Sequence, residues 1–381
     1  HVADRLDETE HTAATRRHGL WFTQLARQVG AGSVGSRFGF WADLVEREFA
    51  NFRQAHRWAI EAGDVERAVG IVDGLCVVGH ERGLMELADW CDATVAIVEG
   101  RNDRLEVAAL AASAPFWWFQ NRVGDIQGGM DRVGAVDADP DHHLALRLCA
   151  VKEALDPERW PDAIVRLKQA LAAYGSDPPT WWSAQIGAFL VLLGGLDESA
   201  LASIAEGLDS PVFSATFTFC RAVPYYMAGD EAIAAELASQ TVALSRAAGA
   251  LDQLGTALMA QGGWRARLPD ATLDDVFGPQ AESLDLWDRL RIPWGLVAVA
   301  EEIAQSLAIR GYHEQAFVLW GAVDSAEIQP PSKVGRYRRA DPYLTQVPPD
   351  QATAWRARGA GMTADETVAF ARRTLAAILN R

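Results

Sequence analysis

Residues 160–174 read WPDAIVRLKQALAAY, and residues 296–307 read LVAVAEEIAQSL. In both segments apolar residues return at every third or fourth position, which is the spacing of one face of an α-helix. We expect Glu301, Glu302 and Gln305 to lie on the opposite, acidic face of the second helix, in contact with solvent. The same period continues along the chain, and short breakers of glycine, aspartate or proline separate the periodic segments. The sequence therefore predicts an all-α protein of about 16 to 18 helices.

A short pattern recurs along the chain: a turn residue, in most copies glycine, is followed five positions later by a small residue. Consecutive copies up to residue 229 begin 34 to 41 residues apart, and the interval from 229 to 311 has room for a further, unrecognisable unit. A small residue near the start of a second helix lets it pack closely against the first, so each unit predicts two antiparallel helices. The copies are Gly83/Ala88, Gly124/Gly129, the degenerate Glu158/Ala163, Gly195/Ala200, Gly229/Ala234 and Gly311/Ala316.

These units resemble the tetratricopeptide repeat (TPR), in a loose form with some lengthened copies. The resemblance implies a right-handed superhelical solenoid of antiparallel helix pairs, in which neighbouring pairs bury the apolar face that no single pair can bury. The alternative is a generic helical bundle whose glycines fall at helix ends by chance. We divide the chain into an N-terminal helical segment (1–62), TPR-like repeats (63–329) and a C-terminal helical cap (330–381).

Two segments carry a more specific resemblance. The first includes RRH at 16–18, WF at 21–22 and WAIEAGD at 58–64, and the second includes LWGA at 319–322 and MTADE at 362–366. Both resemble the helical region that follows the ATPase module in STAND-type (signal-transduction ATPase) bacterial regulators. Such regulators often carry a LuxR-type or OmpR-type DNA-binding domain, or a nucleotide cyclase domain. The resemblance implies a sensor region that binds a small molecule or a protein and controls the attached ATPase.

Residue types within these segments also predict local structure. Trp21, Trp41 and Trp58 have apolar neighbours one helical turn away, so we expect all three to be packing anchors. Asp64 is placed to cap the N-terminus of a helix, and Thr363 with Glu366 forms the pattern of a capping box.

Composition excludes several classes of protein. The chain has 381 residues and a formal net charge of −16, which repels the phosphate backbone of nucleic acids. The four cysteines form no CxxC or Cys/His cluster, so we expect buried reduced thiols and a cytoplasmic location. The longest apolar run, residues 186–196, is too short to span a bilayer.

The motifs of common enzymes and cofactor sites are missing from the sequence. A Walker A loop needs a glycine directly before its lysine, and none of Lys152, Lys168 and Lys333 follows a glycine. Residues 30–35 spell GxGxxG, but helices are predicted on both sides, so we interpret them as a connection between helices. The adjacent pair His142–His143 diverges on a helix and cannot share one metal ion, so we expect both to be solvated. The sequence thus predicts no enzyme, no cofactor and no metal.

The TPR resemblance also predicts a binding groove. In such repeats the residues ten, six and three positions before the turn lie on the concave face of the first helix. We add Trp182, which lies one turn before Gln185. The resulting set is rich in aromatic residues, with a few charged and amide groups, and suits a ligand with flat faces and hydrogen-bonding edges. The predicted ligand-binding residues are Asp73, His80, Trp118, Lys152, Trp182, Gln185, Phe189, Phe219 and Tyr226.

Two pairs of adjacent tryptophans, 117–118 and 181–182, bear on this groove. Neighbours on a helix point about 100° apart, so we expect one member of each pair to be partly exposed. The alternative is that all four tryptophans fill gaps between alanine-rich helices.

Three functions remain open at this point. The first is a sensor whose partner is a small-molecule effector or a protein in the groove, together with other domains of a larger chain. The second is a structural arm for self-association or autoinhibition, and the third is an enzyme with an unrecognised site. The basic residues at 333–339 offer either a docking patch for an acidic partner or an ordinary exposed helix. None of these readings involves nucleic acid or a membrane.

Overall fold

The computed structural model describes residues 8–151, 159–175, 179–197, 199, 208–326 and 346–380. Across these residues the chain forms seventeen α-helices and no β-strand, which confirms the all-α prediction for this part of the chain. None of these helices is long and apolar enough to cross a membrane. Lys152 and the basic stretch 333–339 lie outside the described residues.

The first nine helices are α1 (Glu8–Ser33), α2 (Phe38–Glu61), α3 (Val65–Arg82), α4 (Glu86–Val98), α5 (Arg104–Phe119), α6 (Val123–Val133), α7 (Pro140–Val151), α8 (Trp160–Tyr174) and α9 (Trp181–Leu192). The other eight are α10 (Pro211–Ala228), α11 (Glu231–Ala248), α12 (Leu251–Arg265), α13 (Leu273–Leu290), α14 (Pro293–Ile309), α15 (His313–Ser325), α16 (Pro349–Ala360) and α17 (Ala364–Leu379).

Capping side chains fix the beginnings of several helices. The Asp64 carboxylate accepts the backbone N–H of Arg67 at 3.4 Å, at the start of α3. Thr363 and Glu366 form a reciprocal capping box at the start of α17, in which each side chain accepts the other residue's backbone N–H. Both predicted caps are confirmed. Each satisfies backbone donors that the first turn of a helix leaves without an intrahelical partner.

The turn glycines are correctly placed in three repeats and displaced in two. Gly83, Gly229 and Gly311 end the first helix of a pair with positive φ angles of 64°, 92° and 84°, a backbone conformation that favours glycine. In the repeat predicted at Gly124 that conformation belongs to Asn121, and Gly124 itself lies in α6; in the repeat predicted at Gly195 it belongs to Gly194. The degenerate copy at Glu158 lies outside the described residues.

The unrecognised middle unit is the pair α12–α13. Its helices are joined by residues 266–272, and none of these is a glycine. The small residues that follow the three correctly placed turns are deeply buried, because Ala88, Ala234 and Ala316 are each at most 1% exposed. Their burial agrees with the expected close packing of each second helix.

One helix from each pair contributes to a continuous inner layer. We call α3, α5, α7, α9, α10, α12 and α14 the inner helices. Each contacts the next in this order, and α12 also contacts α3, so the layer closes into a ring. At the N-terminal end α1 and α2 pack on α3, and at the C-terminal end α17 packs on α13, α14 and α15. The ring places residues far apart in sequence around one central space.

The structure corrects two expectations for α1. Residues 30–33 are helical rather than part of a connection, and Gly30 allows close packing, since an added Cβ would lie 3.1 Å from the Cα of Gly74 on α3. Trp21 is not a packing anchor, because it is 67% exposed. Trp41 and Trp58 do pack against the core side, each over a glycine of α1.

Replacement of Ala234 by leucine should lower the free energy of unfolding by about 1–3 kcal/mol, because the site near the start of α11 has no room for three more carbons. Ala232→Leu, at an exposed position two residues earlier on the same helix, serves as the matched control and should change stability by less than about 0.5 kcal/mol. Urea unfolding measures both, and equal effects of the two substitutions would contradict the packing described for the repeat.

Candidate ligand-binding cavity

A cavity of about 240 Å³ lies inside the ring. All seven inner helices contribute side chains to its wall, whereas the second helices of the pairs contribute none within the described chain. The wall is dominated by aromatic rings. The eight aromatic residues are Trp118, Trp181, Trp182, Phe189, Phe219, Tyr226, Trp264 and Trp294.

Aromatic contacts between α5 and α14 close one side of this cavity. The ring centroids of Trp118 and Trp294 are 4.7 Å apart with an interplanar angle of 62°, an edge-to-face arrangement that aromatic pairs favour. Trp287 supports Trp294 from α13, with centroids 5.3 Å apart. Trp287 fits there because its neighbours Gly255 and Gly295 have no side chain, and a Cβ on either would lie within 2.6 Å of the indole. Glycine at these two positions therefore makes the closing contact possible.

His80 joins the two ends of the inner layer. Its imidazole stacks on the Phe119 ring at 4.6 Å with an interplanar angle of 6°. Its Nδ1 lies 3.6 Å from the carboxylate of Glu81, and its Nε2 lies 4.0 Å from that of Asp252 on α12. A protonated His80 would thus connect α3 to α12 through a carboxylate at the edge of the cavity.

Glu302 is an acid of the cavity wall with a raised pKa. Its pKa is raised from 4.5 to about 7, mainly because of burial; the charge of Arg267 opposes this shift and that of Glu301 adds to it. Part of the side chain faces the cavity, and Oε1 lies so close to Gly263 that an added Cβ there would overlap it. A buried carboxyl group whose pKa lies near neutrality is more common at binding and catalytic sites than in purely structural positions.

Two hydrogen-bond donors on the cavity wall lack acceptors. Gln253 Nε2 and Trp294 Nε1 are both buried, and neither has a hydrogen-bond partner among the described residues. A buried donor without an acceptor costs about 1–3 kcal/mol. An acceptor oxygen on a bound molecule would remove that cost.

The structure brings most of the predicted groove residues together. Seven of the nine line this single cavity: His80, Trp118, Trp182, Gln185, Phe189, Phe219 and Tyr226. Asp73 does not line it, and Lys152 lies outside the described residues. Ligand binding by these side chains stays a prediction, but their convergence from four predicted repeats follows the register inferred from the TPR resemblance.

Asp73 contacts a histidine on another inner helix, and its ligand-binding role stays a prediction. Its carboxylate oxygen lies 3.0 Å from Nε2 of His142 on α7. Burial favours neutral His142, but the hydrogen bond and charge of Asp73, together with the charges of Asp139 and Asp141, outweigh burial and raise the pKa of the imidazole. The prediction that both histidines of this pair are solvated is wrong, because His143 is buried, hydrogen-bonded to the Val136 carbonyl and stacked on Tyr174.

The tryptophan pairs behave differently from each other. Trp182 is partly exposed beside the buried Trp181, as expected. Trp117 and Trp118 are both buried, at 3% and 6% exposure, so the expectation fails for this pair. They still point in different directions: Trp117 donates its indole N–H to Asp92, whereas Trp118 meets Trp294. Trp118 is covered by a helix far along the chain, which the local sequence does not reveal.

Several wall residues escaped the sequence analysis. Asp252, Gln253 and Trp264 belong to the middle unit, which has no recognisable turn glycine from which to count. Glu302 and its neighbour Glu301 were expected on a solvated face, yet Glu301 is only 6% exposed and Glu302 lines the cavity. The sequence did contain a signal: two adjacent carboxylates interrupt an otherwise apolar helix. Burying such charges costs free energy, so their presence there points to a functional role.

The four cysteines are buried and form no disulfide, as expected. Cys76, Cys149 and Cys220 line the cavity. Burial raises the pKa of the Cys76 thiol well above its ordinary value, so the neutral thiol predominates and is a weak nucleophile. These side chains act as small apolar parts of the wall.

Glu302→Gln should remove a pH-dependent loss of stability. Because the pKa of Glu302 is higher in the folded protein than in the unfolded chain, the unfolded chain loses its proton first as pH rises from 4.5. The contribution of Glu302 to the free energy of unfolding should therefore fall between pH 4.5 and 7 and then level off. Relative to the native protein, the variant should gain about 2–3 kcal/mol between pH 5 and pH 8 in urea unfolding.

The matched control is Glu236→Gln, since Glu236 is exposed to solvent on α11. The difference in free energy of unfolding between Glu236→Gln and the native protein should stay constant between pH 5 and pH 8. A constant difference for Glu302→Gln as well would show that this carboxyl group is not buried in the way described.

Comparison with known proteins gives no further guide to function, because no protein-family model matches the chain and no curated protein sequence is found to be similar to it. The resemblance to STAND-type regulators therefore rests on the motifs described above. Function has to be inferred from the cavity itself.

Proposed function

We propose that this chain is a non-catalytic sensor that binds a small molecule in the cavity enclosed by its inner helices. The observation that carries the proposal is the convergence of all seven inner helices on one aromatic-lined space, where two donors have no acceptor among the described residues. Apolar walls with a few polar groups that fix orientation are typical of small-molecule sites. A packed structural core would instead fill this space with side chains.

The size of the cavity favours a small effector over a protein partner. Its volume of about 240 Å³ lies just below the range of about 300–1,000 Å³ of typical ligand sites. A peptide segment would need a longer, open groove. We infer that the ligand is a compact molecule that the ring surrounds on several sides.

The ring suggests how binding is transmitted. A ligand in the cavity touches α3 and α5 on one side and α12 and α14 on the other. It therefore binds the closed arrangement more tightly than any arrangement in which these helices separate, and shifts the population towards closure. We propose that this change is passed to other domains of a larger protein, in a TPR-like right-handed solenoid of the kind that the STAND resemblance implies. That setting is a cytoplasmic signalling or transcriptional regulator.

One observation supports the second candidate, an arm for self-association. Leu20 and Trp21 are adjacent on α1, and Trp21 is 67% exposed. An exposed tryptophan beside a leucine favours contact with another protein surface.

Sedimentation of the native chain and of Trp21→Glu distinguishes the sensor from the self-association arm. If the chain is such an arm, the native protein self-associates and Trp21→Glu abolishes the self-association.

Blocking the cavity should abolish ligand binding. Ala298 lines it on α14, and tryptophan at this position would occupy much of the space. We expect a library of small cationic, neutral and anionic fragments, screened by ligand-observed NMR, to give hits with the native protein that Ala298→Trp loses.

Ala357→Trp places the same side chain on the exposed face of α16 and should keep every hit. Circular dichroism and thermal unfolding establish that both variants fold. An absence of hits, or hits that Ala298→Trp keeps, would contradict the proposed function.

A further inference from the structure

The wall of the cavity has a one-sided charge. Three carboxylates reach it, from Glu81 on α3, Asp252 on α12 and Glu302 on α14, whereas no lysine or arginine is among the wall residues of the described chain. The imidazole ring of His80 lies between the carboxylates of Glu81 and Asp252. Anions are therefore disfavoured inside the ring, and each carboxylate gains from a positive charge placed near it.

Among the described residues, basic side chains stay outside the wall. Arg267 interacts with Glu302 and lies over the Tyr226 ring, with its guanidinium carbon 5.8 Å from the ring centroid. The attraction of Arg267 is weaker than the burial that opposes ionisation of Glu302, which is why the pKa of this carboxyl group stays above its ordinary value. The protein thus keeps an incompletely compensated carboxyl group beside the cavity.

The aromatic rings of the wall also favour a positively charged ligand. Eight aromatic rings surround the space, five of them tryptophans, the ring that attracts cations most strongly. Rings that enclose a cation without a specific hydrogen bond are the usual means of recognising quaternary ammonium groups. Carboxylates alone would suit a metal ion as well, but within the described chain no group of three or more histidine, cysteine or acidic side chains is placed to hold one.

We propose that the ligand of this cavity is a small organic cation with an apolar or aromatic body, such as a quaternary ammonium compound. The inference rests on the proposed function and specifies its ligand. The charge is recognised by the aromatic rings and the carboxylates, and the body fills the apolar remainder. An acceptor oxygen on the natural ligand would pair with Gln253 or Trp294, whose donors lack partners among the described residues.

Three phenyl compounds of nearly the same shape separate charge from size. Phenyltrimethylammonium is cationic, tert-butylbenzene is neutral and benzenesulfonate is anionic. Binding is measured by calorimetry and by tryptophan fluorescence at pH 8, where Glu302 is ionised because its pKa is about 7. We expect saturable binding of the cation, at least about tenfold weaker binding of the neutral compound and no saturable binding of the anion.

Two variants, with one control, test whether the cation binds in this cavity. Glu302→Gln should weaken binding of the cation about fivefold or more and leave that of tert-butylbenzene unchanged, because it removes charge while keeping shape. Glu236→Gln, the exposed control, should change neither, and Ala298→Trp should abolish both.

The outcomes separate this inference from the proposed function. If the neutral compound or the anion binds as tightly as the cation and Ala298→Trp abolishes that binding, the ligand class is wrong but the cavity remains a ligand site. If the cation fails to bind, or binds equally to Glu302→Gln, the inference is also overturned. The fragment screen with Ala298→Trp then decides independently whether the cavity binds anything.

Discussion

The contact between Trp118 and Trp294 holds the two halves of this molecule together around its cavity. It joins α5 to α14, and the two residues are only 6% exposed although they are far apart in sequence. Without this contact and that between α12 and α3, a stack of helix pairs would leave its inner face as an open groove, and the aromatic rings there would contact water. With both contacts, the same rings become the wall of a small cavity. Closure therefore turns an open surface into a small space, which supports the proposed binding of a compact ligand.

The cavity retains features that lower the stability of the fold. Glu302 is buried with only partial compensation, and Gln253 and Trp294 have donors without acceptors among the described residues. Each feature would be removed by an apolar side chain of similar size, often with a gain in stability. Destabilising polar groups gathered around one space are typical of functional sites. Their position, rather than any catalytic arrangement, favours binding as the role of this chain.

Local patterns predicted the helices well, because periodicity and caps such as Asp64 act within a few residues. Counting back from the predicted turn residues also selected the side chains on the inner face of the first helices. The turn predicted at Gly124 lies three residues earlier, at Asn121, but positions three or four apart share a helix face, so the selected face was unchanged. The repeat pattern did not predict Asp252 as a wall residue, because the middle unit has no turn glycine from which to count. It did not predict the burial of Trp118, because a helix far along the chain covers that residue. Closure of the ring depends on contacts between distant segments, which no local pattern encodes.

The most direct test of this structure is the nuclear Overhauser effect between the indole rings of Trp118 and Trp294 in selectively tryptophan-labelled protein. Trp118→Phe and Trp294→Phe assign the two sets of resonances. Ring centroids 4.7 Å apart place protons of the two indoles close enough for a strong cross-peak. The closed ring predicts that this cross-peak is present in the native chain. Its absence, with both resonances observed, would show that the ring of inner helices is open and that its cavity does not form.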